Sequence, residues 1–519
     1  MFLLRNRFLR IGELQLVSCR RLLFISVGLF LLAWPANATN ATNAGGVDVR
    51  IRVQSLTPPR LIIEGERDVG SPIWSFPKTY GGLLGLGERI NALVVTDGNG
   101  RNVPVRKLGP GEYKAEAEAT RFRYEVNLEP PARAADSAYV SWLTSDRGLL
   151  MLGDLLPDLA ASGIKAPQHM TLSVELPESW LIASVETRVS GNRFDINDQD
   201  RAVFFVARDL RQFEERVGRM QFALASSGEW AFSASESLAL ARSILESYTD
   251  SVGAVPGKRS LLILSPFPGA EQPGRWSAET RGSTVLLLSG QQPGKTAALV
   301  QLGMPLTHEL FHLWVPNGLA LEGNYDWFYE GFTIYQALLT AVRLNILSFQ
   351  DFLNAVGRAF DIYLSAQGGD NLSLLVASQR RWTASPSLVY QKAMLVALLY
   401  DLTLRIQTKN KYSLADVYRE LFRRHQSGMP DTQANEVVIN TLSSLPGMQE
   451  FARVYIESPS VIDLAASLSR FGLHIEKVGL HTRVLTNESL NREQRDLLRR
   501  LGYNTAARGA KRNRYENQE

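Results

Sequence analysis

The sequence almost lacks cysteine, because Cys19 is the only one in 519 residues. Cys19 falls within residues 1–38, which we interpret below as a leader peptide, so the mature chain has neither a disulfide nor a thiol nucleophile. Its stability must come from a buried hydrophobic core, which a chain of this length can build. The hydrophobic fraction of 45% and the charged fraction of 21% exclude a wholly disordered protein.

Net charge is also absent beyond the leader. The whole chain carries a formal charge of +4, and residues 1–38 account for all of it through five arginines against Glu13. A neutral remainder gives no global attraction for a phosphate backbone, so we expect no nucleic-acid partner. The tail after residue 491 is basic, but acidic residues interrupt it and it lacks the aromatic spacing of single-strand binders. We expect this tail to be solvated and to associate at most weakly with membranes.

Long hydrophobic runs are missing too, apart from residues 22–34. Arg20 and Arg21 precede this run and small residues at 36–38 follow it, an order typical of a secretory signal. The run is shorter than the about 20 residues that cross a bilayer. We predict a signal peptide at 1–38 and export to a periplasmic or extracellular space, with an uncleaved membrane anchor as the alternative.

Hydrophobic periodicity divides the rest of the chain. From Val47, apolar and charged residues alternate, and the same period of two returns at 121–128, while the strings at 171–176 and 202–207 indicate further strands. Such strands predict an antiparallel sandwich or open barrel over 47–212. After residue 213 helical periodicity dominates around two buried strands. These strands lie at 259–266 and 282–289, and the predicted helices at 234–251, 298–315, 326–345, 349–366, 388–407, 413–427 and 446–457.

This pattern predicts an α+β protein: an antiparallel β-domain at 47–212, a mainly helical domain at 213–460 and a C-terminal extension at 461–519, whose last dozen residues are disordered. One string between strand and helix, SGQQPGKT at 289–296, nearly matches a phosphate-binding loop, but its first glycine comes one position late. We interpret it as a turn that leads into the next helix.

His308 and His312 flank Glu309 in the string HELFH. Helical residues four apart share a face with Cβ atoms about 5–6 Å apart, so both imidazoles can bind one metal ion. Glu309 is then directed towards the water beside the metal, as a general base requires. The alternative is that both histidines are ordinary surface or core residues of the helix.

A third ligand follows at Glu330, 18 residues after His312, a gap that fits a helix, a turn and a second antiparallel helix. Two histidines and one glutamate leave a zinc position open for water, which marks a catalytic rather than a structural site. We predict one Zn²⁺ per chain, bound by His308, His312 and Glu330.

The strings HELFHLW and DWFYEGF resemble the gluzincin metallopeptidases, most closely the glycyl aminopeptidase family, to which aminopeptidase N is related. VYQKAMLVALLYDLTLR at 389–405 resembles the family's Tyr-x-Lys-Gly segment and AETRGSTVLLL at 278–288 its Gly-Gly-x-Glu-His-x-x-Ser edge strand. LPESW at 176–180 resembles a strand end of the family's β-domain. The resemblance covers about residues 47–475 and implies a thermolysin-like zinc-peptidase domain.

The resemblance also implies roles for two further residues. Tyr390 would donate a hydrogen bond to the tetrahedral oxyanion, and Glu279 would bind the free α-ammonium of the substrate, which makes these enzymes exopeptidases. Strand 283–288 would align the peptide by backbone pairing. The alternatives are that Tyr390 packs at a helix start and that Glu279 is a solvated charge at a strand end.

The sequence departs from the family at several positions. Residues 276–278 are Trp-Ser-Ala where the family has Gly-Gly before the glutamate, Thr280 replaces the following histidine, and Ala393 replaces glycine. These changes bear on the aminopeptidase subtype rather than on the zinc chemistry. About 40 residues follow Gly479, too few for the PDZ domain that many members carry.

The function predicted from the sequence is zinc-dependent hydrolysis of peptide bonds, as an aminopeptidase that acts on peptide or protein substrates. One alternative is an endopeptidase or another zinc hydrolase on the same site. The other is a catalytically silent envelope protein that binds partners.

Overall fold

The computed structural model describes residues 46–504, except 81, 159–168, 254–255, 367–371, 383–385 and 427–432. The predicted signal peptide and residues 505–519 of the basic tail lie outside the described residues. Ala44–Glu519 forms one compact unit. Among the described helices, none is long and apolar enough to cross a membrane.

The first part of the described chain consists of strands with one short α-helix, α1 (Leu152–Leu155), and 3₁₀ turns at Leu86–Arg89 and Ala134–Ala138. In chain order the strands are β1 (Gly46–Leu56), β2 (Pro59–Ser75), β3 (Thr79–Tyr80), β4 (Leu83–Leu84), β5 (Ile90–Thr96), β6 (Asn102–Val103), β7 (Val105–Gly109), β8 (Glu112–Asn127), β9 (Trp142–Leu143), β10 (Arg147–Met151), β11 (His169–Glu175), β12 (Leu181–Ala183), β13 (Thr187–Ser190), β14 (Arg193–Ile196) and β15 (Val203–Ala207).

These strands form a two-layered β-structure. Within the described residues, the larger sheet has the order β13-β14-β11-β1-β2-β8-β5-β6, with β7 also paired to β8, and the smaller sheet has the order β12-β15-β10-β9. Alternating burial in β1, where Val49 and Ile51 are buried and Arg50 is exposed, turns one face towards a core that both sheets share.

The sequence pattern predicted a wholly antiparallel sheet, and this prediction is wrong at one pair of strands. β1 pairs with β11 in parallel. Alternation within a strand reports which face is buried and carries no information on the direction of its neighbour. The long excursion of the chain between β1 and β11 allows the parallel pairing, which a tight hairpin would forbid.

The second part begins with a five-stranded sheet and one helix: β16 (Arg211–Val217), β17 (Met220–Ser226), α2 (Ala234–Val252), β18 (Arg259–Ser265), β19 (Trp276–Arg281) and β20 (Thr284–Ser289). The strand order is β16-β17-β18-β20-β19. β20 therefore has β18 on one side and β19 on the other. The prediction that strand 283–288 pairs with a substrate is wrong, because both edges of β20 are occupied; β19, which carries Glu279, is the edge strand.

Helices complete the structure. They are α3 (Lys295–Glu309), α4 (Thr333–Arg343), α5 (Phe349–Ala366), α6 (Leu374–Gln379), α7 (Ala393–Gln407), α8 (Leu414–His425), α9 (Ala434–Ser443), α10 (Gln449–Ala452), α11 (Leu464–Ser469) and α12 (Arg492–Arg500). π-Helical segments at Trp327–Phe332, Leu388–Lys392 and Arg453–Glu457 are continuous with α4, α7 and α10. α7 is buried from Ala393 to Arg405 and lies in the middle of the helical core.

The predicted C-terminal extension packs on this core instead of extending from it. It contains a hairpin, β21 (Leu473–Val478) and β22 (His481–Thr486), which the sequence pattern did not predict. A Cβ atom on Gly357 of α5 would lie 2.1 Å from the carbonyl oxygen of Thr482, so the glycine permits close contact between α5 and β22. Leu497 and Leu498 of α12 are also buried in the core.

The β-rich first part followed by a mainly helical second part confirms the predicted α+β fold class. The two parts share a third hydrophobic cluster, in which Phe205 of β15 packs together with Ala225, Ile263 and Leu286 of the five-stranded sheet. Tyr80 of the hairpin β3–β4 also hydrogen-bonds Glu279 of the five-stranded sheet. The candidate site lies at this junction.

Candidate active site

His308 and His312 lie at the end of α3, although not on one continuous α-helix. α3 ends at Glu309, and a 3₁₀ turn at Leu310–Leu313 follows. The helix predicted over 298–315 is therefore correct only as far as residue 309. The tighter turn still directs both imidazoles to the same place, with 3.0 Å between His308 Nε2 and His312 Nε2.

Glu330 approaches this pair from the π-helical segment Trp327–Phe332. Its Oε2 atom lies 3.4 Å from His308 Nε2 and 3.7 Å from His312 Nε2. A tetrahedral ion with bonds of about 2.0–2.1 Å separates its ligand atoms by about 3.3–3.4 Å. The three distances lie around this value, so the residues fit a single zinc ion.

Hydrogen bonding fixes the ring orientation of His312. Its Nδ1 atom lies 2.8 Å from the main-chain oxygen of Val315. Because a carbonyl oxygen only accepts, Nδ1 carries the hydrogen and Nε2 presents its lone pair to the other candidate ligands. Burial, together with the neighbouring His308, lowers the pKa of His312 to about 4, so the ring is neutral, as metal binding requires.

The Glu330 carboxyl group is charged. Burial by itself would raise its pKa, but the hydrogen bond from His308 and the electrostatic effects of His312 and Arg381 lower it to about 2. Burial by itself would lower the pKa of His308. The hydrogen bond to Glu330 and the negative charges of Glu309 and Glu330 outweigh this effect, so the pKa of His308 is raised.

Glu309 is buried at the end of α3, beside the edge strand β19. Burial raises its pKa to about 7, and the nearby carboxylates of Glu279 and Glu330 act in the same direction. The ligand atoms of His308, Glu309 and His312 lie within 4.8 Å of one another, so the carboxyl group is next to the metal position. A carboxyl group with a pKa near neutrality at this place can both take and return a proton.

Tyr390 lies in the π-helical segment Leu388–Lys392, before α7. Its hydroxyl group accepts a hydrogen bond from Arg381. Burial raises the pKa of Tyr390, and the carboxylate of Glu330 raises it further, so the phenol is protonated and able to donate. Both this tyrosine and Glu330 therefore come from π-helical segments, which are frequent at functional sites.

Glu279 lies on β19 and receives a hydrogen bond of 3.0 Å from the hydroxyl group of Tyr80 to Oε1. Tyr80 belongs to β3 in the first part of the chain. The guanidinium group of Arg281 lies 3.7 Å from the centre of the Tyr80 ring. Burial raises the pKa of Glu279. The residue is therefore fixed by neighbours, and the alternative of a freely solvated charge is wrong.

All six predicted site residues line one cleft of about 1020 Å³: Glu279, His308, Glu309, His312, Glu330 and Tyr390. The hairpin β3–β4 contributes Tyr80 and Leu84 to the same cleft. Trp276 and Trp382 also line it and are exposed by 47% and 56%. The cleft is large enough for several residues of an extended peptide.

Comparison by sequence found no match among protein-family models or curated proteins. Solved structures do match. An aminopeptidase N family protein from Idiomarina loihiensis aligns over 83% of this chain and 79% of its own, with 19% identity and a TM-score of 0.69. A mutant M1 zinc metallopeptidase from Deinococcus radiodurans, bound to a Tyr-Ser-Ala substrate, aligns over 81% and 95%, with 13% identity and a TM-score of 0.52. The same metallopeptidase without that substrate gives 13% identity and a TM-score of 0.51 over the same shares.

The chain has the fold of the M1 zinc metallopeptidases. The predicted resemblance is confirmed at this level. In this fold the helix α3 and the edge strand β19 lie side by side. The hydroxyl group of Thr280 on β19 hydrogen-bonds Glu309 at the end of α3.

Sequence reasoning missed three residues of the candidate site. Thr280 was considered only as a departure from the family pattern. Tyr80 lies 199 residues before its partner Glu279, and no local signal marks it. Arg381 follows α6 without a motif, and no local signal marks it as the partner of Asp326 and Glu330.

Proposed function

We propose that this protein is a zinc metallopeptidase that removes residues from the free amino terminus of peptides. The observation that carries the proposal is the convergence of His308, His312 and Glu330 at zinc-ligand distances, with Glu309 beside them. The shared fold adds support, since the Deinococcus metallopeptidase is described with a tripeptide substrate bound.

A zinc ion at this position would lower the pKa of a water molecule to about 7 and polarise the scissile carbonyl. Glu309 takes the proton from the attacking water and delivers it to the leaving amine. Its own hydrogen bond from Thr280 holds the carboxylate in place. Tyr390 donates a hydrogen bond to the oxygen on which negative charge develops.

Glu279 supports an aminopeptidase rather than an endopeptidase. Its carboxylate faces the same cleft as Glu309 and lies on the edge strand β19. An extended peptide that pairs with this edge would place its first residue beside Glu279, where the α-ammonium group finds a negative partner. The strand that we assign to substrate alignment is therefore Trp276–Arg281.

The location of the protein belongs to the same proposal. The leader at 1–38 would direct export to a periplasmic or extracellular space, where the substrates would be peptides or proteins outside the cytoplasm. The basic tail or an uncleaved leader would add weak membrane association.

The proposal is tested by the hydrolysis of matched peptides. Tyr-Ser-Ala and N-acetyl-Tyr-Ser-Ala are incubated with the zinc-loaded protein and with chelator-treated protein, and the zinc content is measured in parallel. We expect cleavage of the free peptide alone, with loss on chelation and recovery on addition of zinc. Equal cleavage of both peptides would show an endopeptidase, and zinc binding without turnover across a peptide panel would show a silent binding protein.

A further inference from the structure

Arg381 is 9% exposed and lies behind the candidate zinc ligands. Its Nη2 atom donates to Glu330 Oε1 at 2.7 Å and its Nη1 atom donates to Asp326 Oδ2 at 3.1 Å. The Tyr390 hydroxyl group accepts a further hydrogen bond from Nη2. One buried guanidinium group thus contacts a candidate metal ligand and the candidate oxyanion donor at once.

The direction of the bond to Tyr390 matters, because a guanidinium group has donors and no acceptor. The phenolic oxygen must accept from Arg381, so this bond does not use the single hydroxyl hydrogen of Tyr390. That hydrogen remains available for a substrate oxygen in the cleft. A hydroxyl group that accepts a charge-assisted bond is also polarised into a stronger donor.

The bond to Glu330 has a parallel effect. Arg381 occupies Oε1, while Oε2 is the atom that lies 3.4 Å from His308 Nε2 and 3.7 Å from His312 Nε2. Hydrogen bonds to a ligating carboxylate from residues behind it fix its orientation. The same side chain therefore determines which oxygen of Glu330 faces the metal position.

We propose that Arg381 is a positioning residue that holds Tyr390 as an oxyanion donor and Glu330 as a single-oxygen metal ligand. This inference rests on the proposed peptidase function and deepens it. Asp326 holds Arg381 through the other terminal nitrogen, Nη1, and the Tyr329 hydroxyl group lies 3.3 Å from the same atom. The guanidinium fork is suited to this task, since a lysine ammonium group could not make the same planar set of bonds.

A double-mutant cycle tests the inference. Tyr390→Phe, Arg381→Gln and the double variant are compared with wild type for kcat and KM on a free-amino-terminus peptide at saturating zinc. We expect Tyr390→Phe to lower kcat by about 10²–10³. We expect Arg381→Gln to lower it by about 10–100-fold, the value of a hydrogen bond to a charged group, with little change in KM.

In the Tyr390→Phe background, Arg381→Gln should lower kcat by a smaller factor than in wild type, because its effect through the hydroxyl group is already missing and only its contact with Glu330 remains. A double variant that loses the full product of the two factors would overturn the role of Arg381 at Tyr390. Arg358→Gln, which changes an exposed arginine of α5, is the matched control and should leave kcat unchanged.

Two measurements other than turnover complete the test. Calorimetric affinity for a phosphinic dipeptide, which has a tetrahedral oxyanion, should fall in Arg381→Gln by the same factor as kcat, while affinity for a free amino acid stays constant. Zinc affinity should fall in Arg381→Gln and recover in part in Arg381→Lys. Unchanged affinity for both zinc and the phosphinate would overturn the inference, whereas an inactive wild type would overturn the proposed function itself.

Discussion

The hydroxyl oxygen of Thr280 lies 2.7 Å from Oε2 of Glu309 and 3.0 Å from its main-chain oxygen. This contact connects the edge strand β19 to the end of α3 at the residue that we assign as the general base. In the family that the sequence resembles, a histidine occupies this position. A short hydroxyl side chain here holds the carboxylate of Glu309 from the strand that we propose for substrate alignment.

Thr280→Val should lower kcat by about tenfold or more, because a hydrogen bond to a charged group contributes about 1.5–3 kcal/mol and valine removes the donor at nearly equal volume. Thr280→Ser retains the hydroxyl group and is the matched control. Steady-state kinetics with measured zinc content check the result. Full turnover in the valine variant would show that Thr280 does not position Glu309.

Glu309→Gln should reduce kcat by about 10²–10⁴, the usual contribution of a positioned acid–base group, because the amide cannot take a proton from water. The ligands His308, His312 and Glu330 are unchanged, so the variant should keep its zinc, as elemental analysis will report. A variant with wild-type turnover would refute the general-base assignment.

Glu279→Ala should impair the cleavage of peptides with a free amino terminus and spare any cleavage of acetylated ones, because it removes the negative partner of the α-ammonium group. Tyr80→Phe removes the hydroxyl group that donates the bond of 3.0 Å to Glu279 and should raise KM by less than Glu279→Ala does. The measurement is kcat/KM on paired free and blocked peptides. The same loss on both would contradict the assignment of an amino-terminus site.

Removal of the metal should abolish hydrolysis and lower the thermal midpoint. A ligand that binds only the folded state stabilises it by about 2.7 kcal/mol at one hundred times its dissociation constant. Calorimetric scans with and without zinc measure this increment. Glu330→Gln should reduce the increment, since one ligand loses its charge, and an undiminished increment would place the ion elsewhere.

Glu186, in the β-rich part, makes the stability of the protein depend on pH independently of the candidate zinc site. Burial raises the pKa of Glu186 to about 7, from a usual value of 4.5. Because the folded state binds this proton more tightly than the unfolded state does, Glu186 contributes to the free energy of unfolding fully below pH 4.5. This contribution is lost as the pH rises through 7. Between pH 5 and pH 8, wild type should therefore lose about 2 kcal/mol of unfolding free energy relative to Glu186→Gln. Urea unfolding of both proteins at the two pH values measures this difference, and equal pH dependence would refute the prediction.

Local patterns in the sequence were sufficient for the fold class and for the core of the candidate site. The spacing of His308, Glu309 and His312 depends only on helical geometry over five residues. The gap from His312 to Glu330 needs only a turn and a second, antiparallel helix. These residues do meet in the structure. Periodicity likewise predicted seven of the helices and six of the strands that the structure describes, because the burial of one face produces a regular spacing of apolar residues along the chain.

Tertiary structure alone decided the rest. The sequence did not show that β19 rather than strand 283–288 lies at the edge, that Thr280 bonds Glu309, or that Arg381 joins Glu330 to Tyr390. Tyr80 reaches Glu279 across 199 residues of chain. Such contacts depend on how sheets and helices pack against each other, and packing is a property of surfaces assembled from distant segments, which the spacing of neighbours along a chain does not encode.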